Sequence, residues 1–309
     1  MNELIFVYGA LRSGTTLLKL MLDSHEDINC PGEVDFIFDY LKKATRSDDW
    51  FYDLDGLALD FVYQDFNLDV NKSDDARSVA RYFVDQFRQR AEGKLILFIH
   101  RNLDKAIELF SDAKFIHLTR DPRDVARSCV EMGWAGIPYF GVEQWLKTEQ
   151  DWDRLSPLLD KRSTIELSYE QLISNPEEQL ERVCIFLSVP YSSSMLDYPS
   201  RSTYKAPDRR AIAQWKRKLT PRESALVEIR VAHLLRVRHY ELSGYPLNPP
   251  SFQERIWLIW KDRTYKWKFG FRRYGLLNVI MVKLTRKLPR AFHAAFVQRK
   301  NGIARRYLK

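Results

Sequence analysis

Short apolar runs separated by segments of helical spacing dominate the first two-thirds of the chain. The first run, Ile5-Phe-Val-Tyr8, is rich in β-forming residues, and after a turn the apolar residues recur at the spacing of one helix face, at Leu17, Leu18, Met21 and Leu22. Three further runs predict strands, at Leu95–Ile99, Lys114–Thr119 and Thr164–Leu167. The pattern therefore predicts strands that alternate with helices, which favours parallel pairing.

Capping residues place several of the helix boundaries. Asp121 can cap a helix whose first turn holds Pro122 and which runs through Cys129, and Asn175-Pro176 begins another helix. Further helices are predicted at Asp104–Phe110 and over residues 222–240. We expect an α/β fold with a parallel sheet flanked by helices. Such folds bind ligands where strand ends lead into helices.

A proline-rich segment, Ser243–Pro250, divides the chain. Its three prolines within five residues disfavour both helix and strand. We place a first domain at 1–245 and a basic, aromatic C-terminal extension at 246–309. Residues 252–309 hold 16 lysines and arginines against Glu254 and Asp262, a formal charge of +14, so the rest of this chain of net charge +8 is close to −6. This uneven charge excludes a uniformly basic nucleic-acid binder.

Length and composition fit one large or two small globular domains. The 309 residues are 45% hydrophobic and 29% charged, which excludes a disordered or fibrous chain. The apolar runs are far shorter than the roughly 18 residues of a membrane-spanning helix. Since the chain passes almost directly into an apolar strand, we do not expect it to be exported. Cys30, Cys129 and Cys184 lack the spacing of a disulfide framework or a zinc site. These features predict a cytoplasmic protein.

The loop after the first strand has the composition of a phosphate-binding loop. Gly9-Ala-Leu-Arg12-Ser13-Gly14-Thr15-Thr16 holds two glycines with four residues between them, and it lies between a predicted strand and a predicted helix. Backbone N–H groups in such a loop can bind phosphate, and Arg12 adds a cation. Thr15 stands where the lysine of a nucleotide triphosphatase would be. The alternative is an ordinary tight turn without a ligand.

A second candidate phosphate site follows the strand at Lys114–Thr119. Arg120 comes at the end of this strand, and Ser128 lies two turns into the next helix. One cation and one hydroxyl can converge there on a dianion. Alternatively, Arg120 and Asp121 only cap the helix and pair with each other. We expect Arg123 and Arg127 to be solvated helix cations.

These segments resemble those of sulfotransferases that use 3′-phosphoadenosine 5′-phosphosulfate (PAPS), in the branch with tyrosylprotein and bacterial carbohydrate sulfotransferases. The resemblance rests on Arg12–Leu18, Pro31-Gly-Glu33, the Arg120–Ser128 segment and the segment that begins at Leu167-Ser-Tyr169. It implies a P-loop-like fold. It also implies that Arg12, Ser13, Gly14, Thr15 and Thr16 hold the 5′-phosphosulfate, and that Arg120 and Ser128 bind the 3′-phosphate.

Further roles follow from the same resemblance. Glu33 takes the place of the base that deprotonates the acceptor hydroxyl, and Tyr169 that of a residue that holds the nucleotide, although a buried aromatic at a strand end would look the same. Gln214-Trp215-Lys216 resembles the segment that closes over the donor, so Lys216 or Arg210 is a candidate phosphate contact. Arg12 and the loop N–H groups would neutralise the developing charge, so no metal is expected.

One family feature is missing from the chain. Many relatives carry a Lys-Ser/Thr-Pro triplet whose lysine assists the leaving group, and no such triplet follows the second strand here. Lys94 before the Leu95–Ile99 strand, and His100 and Arg101 after it, are the alternatives. The C-terminal end of a parallel strand favours His100 and Arg101. An arginine there would act as an electrostatic clamp, because it does not release its proton.

The prediction is a PAPS-dependent sulfotransferase that modifies a hydroxyl, or less readily an amine, of a glycan or glycolipid. Peptide tyrosine and a small phenol remain open as acceptors. A small-molecule kinase with a P-loop, or a non-catalytic nucleotide-binding protein associated with a membrane, is the alternative.

The extension interleaves aromatic with basic residues between Trp257 and Arg273. That pattern fits the inner face of an anionic membrane, a polyanionic substrate or partner, or a helical appendage folded on the domain. We do not expect nucleic acid as a partner.

Overall fold

A five-stranded parallel sheet forms the centre of the computed structural model, which describes residues 3–44, 49–70, 75–90, 92–285 and 290–305. Parts of the predicted extension, residues 286–289 and 306–309, lie outside these described residues. The strands are β1 (Leu4–Tyr8), β2 (Ile28–Glu33), β3 (Leu41–Lys43), β4 (Trp50–Tyr52), β5 (Lys94–Ile99), β6 (Lys114–Thr119) and β7 (Thr164–Ser168).

The helices cover both faces of the sheet and form the C-terminal extension. The α-helices are α1 (Thr15–Leu22), α2 (Phe36–Asp39), α3 (Leu54–Leu57), α4 (Phe61–Phe66), α5 (Ala76–Arg90), α6 (Leu103–Leu109), α7 (Pro122–Glu131), α8 (Pro138–Gly141), α9 (Glu143–Leu155), α10 (Tyr169–Ser174), α11 (Pro176–Leu187), α12 (Tyr198–Arg201), α13 (Trp215–Lys218), α14 (Pro221–Val237), α15 (Phe252–Tyr274), α16 (Leu276–Leu284) and α17 (Arg290–Arg305). Short 3₁₀ turns lie at Ser156–Leu158, Lys161–Ser163, Ser193–Leu196 and Arg209–Ala211.

The strand order is β2-β5-β1-β6-β7, and every pairing in this sheet is parallel. The register aligns Tyr8 with Ile99 on one side and with His117 on the other. Consequently the loops that follow these strands all leave from one edge of the sheet. The α/β fold and the four strands predicted from the sequence are confirmed.

Successive side chains along each strand point to opposite faces of the sheet, and an apolar core forms on each face. Phe6 and Tyr8 of β1 face α2, α5 and α9, whereas Ile5 and Val7 face α1, α10 and α11. Most aromatic side chains of residues 34–92 belong to the first core, although Phe51 is exposed. Phe36 and Phe83, for example, are almost fully buried.

The edge strand β2 was not predicted, for a physical reason. Its sequence, Ile28-Asn-Cys-Pro-Gly-Glu33, contains Pro31 and Gly32, which are unusual inside a strand. Its pairing with β5 shifts register between Asn29 and Gly32. An edge position tolerates both residues, and the strand ends with Glu33 level with Phe98 of β5.

Candidate active site

The loop from Arg12 to Thr16 joins β1 to α1 at the C-terminal edge of the sheet. Two residues in it adopt positive φ angles, 74° at Arg12 and 96° at Gly14. A Cβ atom at Gly14 would lie 2.3 Å from Cδ2 of Tyr169, so the close contact requires glycine. The buried Ser13 hydroxyl has no hydrogen-bond partner among the described residues. The loop therefore presents an unused hydroxyl next to the N-terminus of α1.

Arg120 is held above this loop by its own set of contacts. Its Nη1 donates to the Arg12 carbonyl at 3.1 Å and its Nη2 to the Ala211 carbonyl at 3.3 Å. The guanidinium lies 4.0 Å from the centre of the Tyr169 ring. The buried Nε of Arg120 and the buried hydroxyl of Thr119 have no partner within the part of the chain that the structure describes. These contacts fix the cation while leaving donors for a ligand.

The two segments predicted to bind phosphate meet directly. Arg12 Nε donates to Ser128 Oγ at 2.9 Å, across 116 positions of sequence. The guanidinium groups of Arg12 and Arg120, the unpaired Ser13 hydroxyl and the α1 N-terminus thus lie together, and the residue before Arg120, Thr119, carries a second unpaired hydroxyl. Such donors suit the oxygens of phosphate and sulfate groups. The residues present therefore fit a nucleotide with more than one anionic group.

A second cluster lies beside the loop, at the ends of β2 and β5. His100 is buried, and its Nδ1 lies 2.7 Å from Oδ2 of Asp35, while its backbone N–H donates to Oδ1 of Asp35 at 2.8 Å. Its Nε2 lies 3.8 Å from Oε1 of Glu33 and 3.4 Å from Oγ1 of Thr15. The Glu33 side chain remains 45% exposed, so a molecule in solution can reach it.

The Asp35–His100 pair changes the protonation of both partners. Burial alone would lower the pKa of His100, but the charge and hydrogen bond of Asp35, together with the charge of Glu33, raise that pKa above its usual value. Burial likewise opposes the ionised form of Asp35, and the charge and hydrogen bonds of His100, together with the charge of Arg101, lower the pKa of Asp35. The structure thus favours an imidazolium beside the phosphate-binding loop.

Arg101 and Lys94, the other two candidates for the missing lysine, are positioned differently. Arg101 Nε donates to Oδ1 of Asp39 at 2.7 Å, and its Nη2 also bonds Asp39, so this guanidinium is already neutralised. Lys94 begins β5 and pairs with Glu3 at 3.0 Å. The alternative that assigned Lys94 to the site is wrong in its geometry, because Lys94 lies at the opposite end of the strand from His100.

Lys216 lies near the site without touching it. It is exposed on α13, with its Nζ 5.6 Å from the centre of the Trp215 ring. The backbone N–H of Trp215 donates to Oδ1 of Asp124 at 2.7 Å and ties α13 to α7. Arg210 is also exposed, and its Nε bonds Asp208. Neither cation contacts the phosphate-binding loop in the described structure.

Two cations expected in solvent are buried instead. Arg123 bonds Asp121 and Glu228, and all three side chains are almost fully enclosed. Arg127 is also buried and pairs with Glu131. The prediction for both residues is wrong, because α8, α9, α13 and α14 pack around α7. The predicted capping of α7 by Asp121 is confirmed, since its carboxylate accepts from the Arg123 N–H.

Sequence reasoning missed Asp35 and Thr119 as members of the site. Asp35 follows Glu33 by two residues, and Thr119 directly precedes Arg120. Polar residues just after or at the end of an apolar strand are a usable signal for this edge of a parallel sheet. The pairing of Asp35 with His100, however, depends on the β2–β5 register, which the sequence does not reveal.

A cavity of about 700 Å³ opens beside His100. Its wall comes mainly from residues 132–154, with Tyr8 and the segment Arg101–Asp104 on the other side. Of the described residues within 34–92, only Asp39 lines it. Trp134 and Phe140 supply aromatic surface, and the charged or amide side chains are Asp39, Arg101, Asn102, Asp104, Glu143, Gln144, Lys147, Asp151 and Arg154.

Comparison with known proteins agrees with this architecture. The family model described as "Sulfotransferase family" matches residues 4–193, more than half of the chain. A protein-tyrosine sulfotransferase of Drosophila melanogaster is 27% identical over 208 residues, which cover 63% of this chain and 40% of that protein. A putative protein-tyrosine sulfotransferase of Caenorhabditis briggsae is 29% identical over 216 residues, covering 64% of this chain and 69% of that protein.

Solved structures share the fold. The sulfotransferase domain from the curacin biosynthetic pathway has a TM-score of 0.56 at 18% identity and covers 78% of this chain and 99% of that domain. The sulfotransferase domain of the Synechococcus PCC 7002 olefin synthase also gives 0.56 at 18% identity, with 78% and 96% covered. At this identity the likeness shows a common sulfotransferase fold.

Proposed function

Because this chain belongs to the sulfotransferase family, we propose that it moves a sulfuryl group from PAPS to a hydroxyl of an acceptor. The observation that carries the proposal is the juxtaposition of two clusters. The cationic cluster of Arg12, Ser128 and Arg120 lies next to the Glu33–His100 pair, with Thr15 between them, 3.4 Å from His100 Nε2. One cluster suits the donor anions and the other suits proton transfer.

The donor would bind at the cationic cluster, where the Ser13 and Thr119 hydroxyls and Arg120 Nε have no partner among the described residues. Ser13, the loop N–H groups and Arg12 take the 5′-phosphosulfate, and Arg120, Thr119 and Ser128 take the 3′-phosphate. Tyr169, packed between Gly14 and Arg120, keeps both sites at a fixed spacing. Lys216 stays a candidate contact that would have to approach from α13.

Transfer needs a base, an in-line attack and stabilisation of the leaving group. Glu33 accepts the proton of the acceptor hydroxyl, whose oxygen forms a bond to sulfur. The bond between sulfur and the bridging phosphate oxygen breaks, and adenosine 3′,5′-bisphosphate leaves. The positively charged His100, held by Asp35, and the guanidinium of Arg12 stabilise the charge that develops on that oxygen.

A glycan or glycolipid hydroxyl is the acceptor class that we favour. The cavity beside His100 combines the aromatic side chains of Tyr8, Trp134 and Phe140 with many carboxylates, amides and cations. Such a lining matches a ligand with several hydroxyl groups and apolar faces. Peptide tyrosine is the second candidate, supported by the two protein-tyrosine sulfotransferases described above.

Transfer of radiolabelled sulfuryl from PAPS, to a neutral glycoside and to a tyrosine peptide, tests the activity and the acceptor. Glu33→Gln should lower turnover by about 10²–10⁴-fold, because a general base is lost, while donor affinity changes little. Glu26→Gln makes the same chemical change at an exposed position before β2, at the other end of the strand, and should leave turnover intact. Equal turnover of the two variants would remove Glu33 from the reaction.

Nucleotide-dependent thermal stabilisation separates sulfuryl transfer from the alternatives. Adenosine 3′,5′-bisphosphate should raise the melting temperature more than ATP with magnesium does. A larger shift with ATP would favour the kinase. Tight bisphosphate binding without turnover on any acceptor would favour a non-catalytic nucleotide-binding protein.

A further inference from the structure

The helix α15 lies with one side against the first domain. Leu258 is buried against Ile137 and Leu226, and the buried Asp262 accepts from the Gly136 N–H at 2.6 Å. A Cβ atom at Gly133 would lie 2.2 Å from the ring of Phe269. This face of α15 is therefore part of the fold, and it fixes the direction in which the opposite face points.

The opposite face of α15 exposes large apolar side chains. Phe252, Ile256 and Trp260 follow one another at four-residue spacing, so they share one side of the helix. The five residues of this apolar face are Phe252, Ile256, Trp257, Ile259 and Trp260, which are 78%, 53%, 50%, 41% and 62% exposed. Isolated exposed apolar residues are ordinary, but five within nine positions on one helix mark an interaction surface.

Exposed cations flank this apolar face along α15, whereas both acids of the helix are engaged elsewhere. The exposed cations of α15 are Arg255, Lys261, Arg263, Lys266, Lys268 and Arg272. The helix has two acids: Glu254 is paired with Arg222 at 2.6 Å, and Asp262 is buried and also pairs with Lys266. Lys261 Nζ lies 4.8 Å from the centre of the Trp257 ring, which leaves charge and aromatic surface side by side.

We propose that this apolar face of α15 docks on the surface of an anionic lipid bilayer. Tryptophan and phenylalanine side chains insert at the level of the headgroups, while the flanking lysines and arginines bind anionic lipids. A second copy of the chain is a poorer occupant, because it would bring an equally cationic face against this one. Among the described residues no helix is both long and apolar enough to cross a membrane.

Co-sedimentation of the full chain with vesicles tests the proposal. Vesicles of phosphatidylcholine with about one-third phosphatidylserine should bind the chain, vesicles of phosphatidylcholine alone should bind it far less, and added salt should weaken binding. The variant Ile256→Ser/Trp260→Ser should lower the partition coefficient at least about tenfold. The control Leu158→Ser/Ile185→Ser changes two side chains that are 73% and 78% exposed on the first domain, and it should bind normally.

A variant with fewer positive charges tests the cations that flank the apolar face, independently of the apolar substitutions. Lys261→Gln/Lys268→Gln should lower binding about fivefold for each charge removed. Bisphosphate binding should be unchanged in every variant, which shows that the site stays folded and separates this proposal from the proposed sulfuryl transfer. Three results would overturn the proposal. The first is equal binding to vesicles with and without phosphatidylserine, and the second is equal binding of the apolar variant and its control. The third is an absence of vesicle binding together with self-association of the chain that becomes stronger as salt is added.

Discussion

Replacing Asp35 by asparagine removes the charge that holds His100. The new amide oxygen could still accept from the His100 backbone N–H, as Asp35 Oδ1 does at 2.8 Å. The amide N–H₂ would then face Nδ1 of the imidazole, where Asp35 Oδ2 now lies 2.7 Å away. That nitrogen would have to accept, which forces the neutral ring with its proton on Nε2.

The size of the effect follows from the burial of the pair. A hydrogen bond to a charged group contributes about 1.5–3 kcal/mol, and both partners here are almost fully buried, so solvent screens little of it. The pKa of His100 is raised in the folded protein. Its contribution to the free energy of unfolding is therefore complete below the pKa of the unfolded chain, about 6.5, and is lost as the pH rises through the pKa of the folded protein. The pKa of Asp35 is lowered in the folded protein. Its contribution to the free energy of unfolding is therefore present above the pKa of the unfolded chain, about 3.9, and is lost as the pH falls through the pKa of the folded protein.

Urea unfolding at about pH 5.5 and about pH 9 measures this difference. Asp35→Asn should lower the free energy of unfolding by about 1.5–3 kcal/mol at the lower pH and by clearly less at the higher pH. Asp39→Asn is the matched control, because its partner Arg101 does not titrate in this range. A loss from Asp35→Asn that is equal at both pH values would refute the charged pair.

Three further substitutions test other parts of the structure. Arg120→Ala should weaken binding of adenosine 3′,5′-bisphosphate by about 10–150-fold and that of adenosine 5′-phosphate much less, and equal losses in calorimetry would contradict the 3′-phosphate assignment. Gly14→Ala should abolish bisphosphate binding, because its Cβ would meet the Tyr169 ring at 2.3 Å and φ is 96°, whereas normal affinity would show that the loop tolerates the change. Leu258→Ala should destabilise the whole first domain by about 2–5 kcal/mol in thermal unfolding, and a small separate transition would instead indicate an independent extension.

Much of the sheet follows from local patterns, but the partners within the site do not. Buried parallel strands such as β1 and β6 are short apolar runs, so the loops at their ends could be named in advance. His100 was placed at the site because it follows such a run. Asp35 was not, because its position depends on the Val34 N–H bonding the Phe98 carbonyl at 2.9 Å and thus on strand pairing.

In the extension, too, local patterns did not reveal the contacts between distant parts of the chain. Its charge and aromatic residues are evident in the sequence, yet the buried face of α15 depends on residues more than a hundred positions away. Gly136 is an example, because a Cβ atom there would lie 2.5 Å from the backbone of Asp262. The sequence therefore predicted the composition of the surface but not which side of the helix forms it.

The error about Arg123 has a consequence for the donor site. As a buried cation bonded to Asp121 and Glu228, Arg123 anchors the first turn of α7 to α14. Trp145 Nε1 donates to the Arg120 carbonyl at 2.9 Å and fixes the residue just before that turn. Arg120 and Ser128 are thus positioned by protein contacts, and a nucleotide need not order them when it binds. Preorganisation of this kind lowers the entropic cost of binding, so affinity for the bisphosphate should depend on the contacts that support Arg120 as well as on Arg120 itself.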